Sequence, residues 1–136
     1  MVRRAMLLSV AFLLAGCSAG AGGDYRTADL VADLEAGGAT VQEGGEVEQA
    51  FFSPVGRLLS IDGVDVQVFE YPDAAARQAG SDQIGPDGSE IGTTMVTWVD
   101  EPHFWAKDRL IVLYVGQDAA TIAALGSMLG EPIAGG

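Results

Sequence analysis

Cys17, His103 and Lys107 are each the only residue of their type in the chain. The last two fall within Asp100-Glu101-Pro102-His103-Phe104-Trp105-Ala106-Lys107-Asp108, which crowds acids, the histidine, two aromatics and the lysine into nine residues. An imidazole titrates near neutral pH, so a His flanked by acids has the chemistry of a general base. His103 with Asp100 or Glu101 is therefore the candidate pair for a small hydrolase, although no nucleophile–base motif accompanies it. A simpler reading makes 100–108 a loop between two strands. Phe104 and Trp105 then fold back to seal a sheet, and His103 hydrogen-bonds a nearby carbonyl. A third reading makes the loop a contact surface, because loops on rigid scaffolds often carry function. On that reading Phe51, Phe52, His103, Phe104 and Trp105 are the ligand or partner contacts, and no residue is assigned a catalytic role.

Metal and phosphate chemistry find little support. Asp62 and Asp65 bracket a turn, and Asp82, Asp87 and Glu90 surround Gly85-Pro86-Asp87-Gly88. Neither set has the spacing of a Ca²⁺ loop, and Asp and Gly suit tight turns on their own. A single His excludes a multi-histidine site. Gly37-Gly38 and Gly44-Gly45 lack the sequence context of a phosphate cradle. No cofactor and no metal are expected. Glu43, Glu46 and Glu48 read as a solvated acidic patch, or as a surface for a cationic partner.

The chain of 136 residues, with 19 acids against seven bases and a net charge of −12, fits one small domain. That balance argues against nucleic acid as a partner, since phosphates call for a basic patch. A hydrophobic content of 49% is enough to bury a core.

Arg3 and Arg4 precede an apolar run, 5–16, that stops at Cys17. Twelve helical residues cover about 18 Å, short of the hydrocarbon thickness of about 30 Å. A charged start, a short apolar run and small residues behind it make an export signal. Leu14-Ala15-Gly16-Cys17 resembles the lipobox of bacterial lipoprotein precursors, and the resemblance covers only this start of the chain. It implies that Cys17 carries a thioether-linked diacylglycerol and becomes the mature N-terminus. Two or more acyl chains give a lasting anchor, because each buried methylene adds about 0.8 kcal/mol. Ser18 after the Cys resembles the pattern of outer-membrane proteins in a diderm cell. Ala19-Gly20-Ala21 is an alternative A-x-A cleavage site that would release a soluble form. The expected organisation is a signal over 1–16, the lipidated Cys and a flexible tether over 17–23, and a folded domain over 24–134, with Gly135-Gly136 frayed. Setting Arg3 and Arg4 aside leaves five bases against 19 acids, a net charge of −14 on the exported part. Anionic lipid headgroups repel such a charge.

These elements must position the candidates. Apolar spacing predicts a helix over 27–36, capped by Thr27 and stopped by Gly37-Gly38. A short strand follows over 39–43, and Gly44-Gly45 break it. Strands 58–61 and 64–69 flank Asp62-Gly63, a favoured type I′ turn pair, so Ile61 faces Val64 and Leu59 faces Val66. Leu59, Ile61, Val64, Val66 and Val68 then share one face, with Leu58, Phe69 and Tyr71 on the other. An Ala-rich helix is expected over 73–83, with Pro72 in its first turn, and a strand over 93–99. The unbroken apolar run 110–115 marks a central strand buried on both faces. Asp118 caps a last helix with Ile122, Leu125 and Leu129 as its apolar stripe, ended by Gly130 and Pro132.

The order α-β-β-β-α-β-β-α favours an α+β fold with helices on one face of a mostly antiparallel sheet of four to five strands. The second face would be closed by Phe51-Phe52, by 100–108 or by another subunit. The domain also resembles small bacterial lipoproteins of unassigned activity, through Phe51-Phe52-Ser53, the stretch from Val66 to Pro72, Pro102-His103-Phe104 and the stretch from Leu110 to Gly116. That resemblance brings no catalytic residues. The expected protein is a lipid-anchored envelope protein on the extracytoplasmic face of the cell or outer membrane. Its domain would be a non-enzymatic binding or accessory module for an envelope protein or exported ligand. The alternatives are the His103 hydrolase and a structural component that self-associates.

Overall fold

A computed structural model describes residues 23–136, so Cys17, the expected signal and most of the expected tether lie outside the described residues. The elements run α1 (Thr27–Ala36), β1 (Val41–Val47), β2 (Gly56–Ile61), β3 (Val64–Glu70), α2 (Ala74–Ser81), β4 (Glu90–Ile91), β5 (Thr94–Met95), β6 (Pro102–Lys107), β7 (Leu110–Val115), α3 (Ala119–Leu129) and β8 (Ala134–Gly135). Six strands form one antiparallel sheet in the order β1-β2-β3-β7-β6-β8, and β4 with β5 forms a separate hairpin. The fold is α+β.

The β2–β3 hairpin has the expected register, with Ile61 opposite Val64 and Leu59 opposite Val66. Its turn puts Asp62 at φ 50° and Gly63 at φ 87°, the left-handed pair that a type I′ turn requires and that suits the twist of the flanking strands. Strand β7 sits between β3 and β6, and all but its last residue is buried. Its side chains alternate between two cores. Leu110, Val112 and Tyr114 meet Leu59, Ile61, Val66, Val68 and Trp105 under α1 (Leu30, Leu34) and α3 (Leu125, Leu129). Ile111 and Leu113 face the opposite core with Phe52, Phe69, Tyr71, Ile91 and Phe104. A strand with a core on each side has no polar face to show, hence the unbroken apolar run.

Several expectations are corrected. Segment 100–108 is not a loop: Pro102–Lys107 is β6, paired with β7 along its whole length. The Gly44-Gly45 pair does not end β1; it absorbs one extra residue as a bulge between Glu43, opposite Leu59, and Glu46, opposite Arg57. Only Thr94–Met95 of 93–99 is strand, and it pairs with β4 outside the main sheet. Val96 and Trp98 instead pack on the second core. Gly135 is not frayed, since β8 pairs with β6 and the Ile133 amide donates to the Phe104 carbonyl at 2.7 Å. Thr27 is the first helical residue rather than the cap. Its amide donates to Glu70 Oε1 at 2.8 Å, and Asp29 reaches back to the Arg26 amide at 2.9 Å. Pro72 lies ahead of α2, which Asp73 caps by accepting from the Ala76 amide. Helices do not share one face either, because α2 contributes Ala76 to the second core.

Candidate functional site

On β6 alternate side chains point to opposite faces. His103 and Trp105 therefore lie under the helices while Phe104 enters the second core, and all three are buried, at 5%, 0% and 0% exposure. The imidazole stacks with Trp105 (centroids 6.0 Å apart) and with Tyr114 across the strand pair (5.9 Å). Its Nε2 lies 2.9 Å from the Gly116 carbonyl oxygen. A carbonyl only accepts, so Nε2 carries the hydrogen and donates. Of the two carboxylates beside it in sequence, that of Asp100 is engaged elsewhere. Asp100 accepts from the Gln117 side-chain amide at 2.9 Å and from the Glu101 backbone amide at 2.8 Å. Those two bonds, the Gln117 one first, hold its carboxyl below the ordinary range. The pair expected of a hydrolase, His103 with Asp100 or Glu101, is not joined by a hydrogen bond. As contact residues His103, Phe104 and Trp105 are corrected: strand pairing commits them to the interior.

Phe51 and Phe52 precede β2 in a turn that folds over the second core. Phe52 is buried against Phe69, with ring centroids 4.8 Å apart, and Phe51 stands edge-on to it, also at 4.8 Å. Trp98 joins the group at 6.2 Å from Phe51 and 5.8 Å from Phe104, and its indole N–H donates to the Gly88 carbonyl at 2.8 Å. Such edge-to-face pairs add about 0.5–1.5 kcal/mol each beyond burial. The second face is thus closed from within the chain. Phe52 is committed to the core, whereas the Phe51 ring is only half-buried.

Two clefts flank this turn. One, of about 450 Å³, is lined by Glu48, Gln49, Phe52, Pro54 and Val55. The other, of about 310 Å³, lies between the turn and α2 and is lined by Phe51, Phe52, Ser53, Tyr71, Gly80 and Gln83. Tyr71 decides which of them is the better candidate. Its hydroxyl is buried and has no hydrogen-bond partner in the protein, and burial pushes its pKa up. A buried unpaired hydroxyl costs about 1–3 kcal/mol. Gly80 makes this approach possible, because a Cβ there would clash with the Tyr71 hydroxyl.

No family model, curated protein or solved structure matches the chain.

The 310 Å³ cleft therefore joins Phe51 and Phe52, which were expected as contacts, to Tyr71, Gly80 and Gln83, which were not. A partial signal existed, since hairpin alternation puts Tyr71 on the same face as Phe69. Gly80 and Gln83 gave none, because their place beside Tyr71 depends on where α2 docks. Among the described residues, no group of three or more His, Cys, Asp or Glu side chains is placed to hold a metal ion. Nor is any helix there long and apolar enough to cross a membrane.

Proposed function

We propose that this protein is a lipid-anchored module on the extracytoplasmic face of a bacterial envelope, and that its domain binds a ligand or partner rather than transforming one. One observation carries the anchor: the run from Arg3-Arg4 through an apolar segment too short to span a bilayer, ending in Leu14-Ala15-Gly16-Cys17. The binding role is supported by the cleft beside α2, with its aromatic wall and the unpartnered Tyr71 hydroxyl. Its occupant is a small amphipathic molecule that lays an apolar face on Phe51 and Phe52 beside Tyr71. The engagement of His103 with Gly116 weighs against the hydrolase alternative.

Intact mass of protein extracted from native membranes tests the anchor. A species beginning at Cys17 and heavier by a diacylglycerol and an acyl chain is expected, and Cys17→Ser should abolish it. A soluble species beginning at Gly22 would overturn the reading. The cleft is tested by screening a library of small amphipathic molecules by thermal shift. Binding that survives both Phe51→Ala and Tyr71→Phe would place the site elsewhere.

A further inference from the structure

Strand β1 is one edge of the six-stranded sheet, and among the described residues β2 is its only strand partner. The opposite edge is short, since β8 has two residues and pairs with His103 and Phe104. By contrast β1 runs for seven residues, and Gln42 through Glu46 are exposed. The hairpin beside it fixes which of its main-chain groups face outward. In a two-residue type I′ hairpin the residues flanking the turn, here Ile61 and Val64, exchange both hydrogen bonds. Alternation then aims the main chain of Ile61, Leu59 and Arg57 at β3, and that of Ser60 and Leu58 at β1. Val41 and Glu43 stand opposite Ile61 and Leu59, so their N–H and C=O groups point away from the sheet. The Asp62 amide, which donates to the Thr40 carbonyl at 2.8 Å, has the same phase. Beyond the bulge Glu46 stands opposite Arg57 and faces out in the same way.

Side chains give this edge a sign. No base lies between Arg26 and Arg57 in sequence, while Glu43, Glu46 and Glu48 follow one another closely. Through Leu59 and Arg57 opposite them, Glu43 and Glu46 lie on one face of the sheet. Arg57 offsets Glu46 there. At the other end Asp62 adds a carboxylate, whose Oδ1 accepts from the Thr40 amide at 2.8 Å. The other four described bases are held elsewhere: Arg26 and Arg109 on Asp24, Arg77 on the Asp108 carbonyl and Lys107 on the Met128 carbonyl.

We propose that β1 receives an extended segment of a partner protein, which adds a strand to this edge and carries Lys or Arg at alternate positions. Main-chain bonds to Val41, Glu43 and Glu46 hold such a strand, and the acids select its sequence. A strand repeats its side chains every second residue, so one cation falls beside Glu43 and the next ones lie along the same face. A second copy of this chain would instead set Glu43 and Glu46 against the same acids and be repelled. Charge and a bulge keep an open edge from pairing at random; a cationic strand is the partner that gains from these acids. The edge shares no residue with the cleft beside α2, so it stands whether or not that cleft is occupied.

The test follows backbone hydrogen exchange by mass spectrometry, in peptic fragments over 40–47 of the full-length protein in detergent. Three end-blocked heptapeptides are the probes: one alternating Lys and Val, one alternating Glu and Val, and the Lys peptide with every amide N-methylated. At about 1 mM, which detects weak association, the Lys peptide should slow exchange over 40–47 by roughly ten-fold. The Glu peptide and the methylated peptide should leave it unchanged, and Glu43→Lys should transfer the effect to the Glu peptide. Equal slowing by the methylated peptide would show attraction by charge alone and overturn the added strand. No slowing by the Lys peptide overturns the proposal outright. Protection over 40–47 without any peptide assigns the edge to this chain or a second copy, and overturns the proposed partner.

Discussion

Tyr71 keeps a buried hydroxyl without a partner beside a cleft, and that cost is measurable. Tyr71→Phe should leave the fold intact and raise its stability by about 1 kcal/mol, read as the shift in urea midpoint at constant m. A loss of stability would show that the hydroxyl is paired after all. Gly80→Ala forces a methyl group onto the same hydroxyl and should cost about 1–3 kcal/mol. Because the two sites touch, combining it with Tyr71→Phe should recover part of that loss, which a double-mutant cycle measures. Phe104 and Trp105 behave differently, since both are fully buried. Alanine at either should cost about 3–5 kcal/mol in chemical denaturation, the penalty of an emptied core site. A small loss would return them to the surface and revive the contact-loop reading.

At the scale of elements, two helices begin at aspartates that accept from the third residue of the helix. Asp73 takes the Ala76 amide, and Asp118 takes both the Thr121 hydroxyl at 2.6 Å and its amide at 2.9 Å. Those bonds, the hydroxyl one first, hold the Asp118 carboxyl below its ordinary value of 3.8. A group whose folded-state pKa is depressed contributes fully above the unfolded value, and the contribution is lost as pH falls toward the folded one. Asp118→Asn keeps an acceptor but removes the titration. Its Tm should therefore fall less steeply than that of the wild type between about pH 5 and pH 3. Parallel curves would mean that Asp118 contributes nothing to acid sensitivity. Strand β6 shows how an element escapes its own sequence. Pro102 at its start, Lys107 at its end and acids on both flanks imitate a loop, while β7 alongside supplies the ladder that fixes it.

Across the whole molecule charge dominates, with 19 acids against five bases among the described residues. Self-repulsion on that scale destabilises the compact state and is screened by salt. The Tm should rise between about 10 mM and 150 mM NaCl and then flatten, as followed by circular dichroism. A Tm independent of salt would show that repulsion among the acids does not limit stability. Both sheet faces are covered from within the chain, α1 and α3 on one side and the 51–52 turn, α2 and the 84–98 segment on the other.

Local chemistry was legible wherever a residue acts on its immediate neighbours. Asp62-Gly63 specified the hairpin and its register, the apolar run of β7 specified a central strand, and Asp118 and Gly130 specified the limits of α3. The α+β class followed from the order of these elements, and the sequence before Cys17 carries the anchor proposal by its pattern alone. Tertiary structure decided the rest, because it depends on contacts between residues far apart in the chain. Pairing with β7 turned 100–108 from a loop into β6 and took His103, Phe104 and Trp105 inside. The docking of α2 brought Gly80 to Tyr71 and made the cleft. The return of the β6–β7 turn to the residues just before α1 brought Arg26, Arg77, Lys107 and Arg109 together. Spacing in sequence encodes turns, caps and periodicity; only packing decides which distant side chains meet.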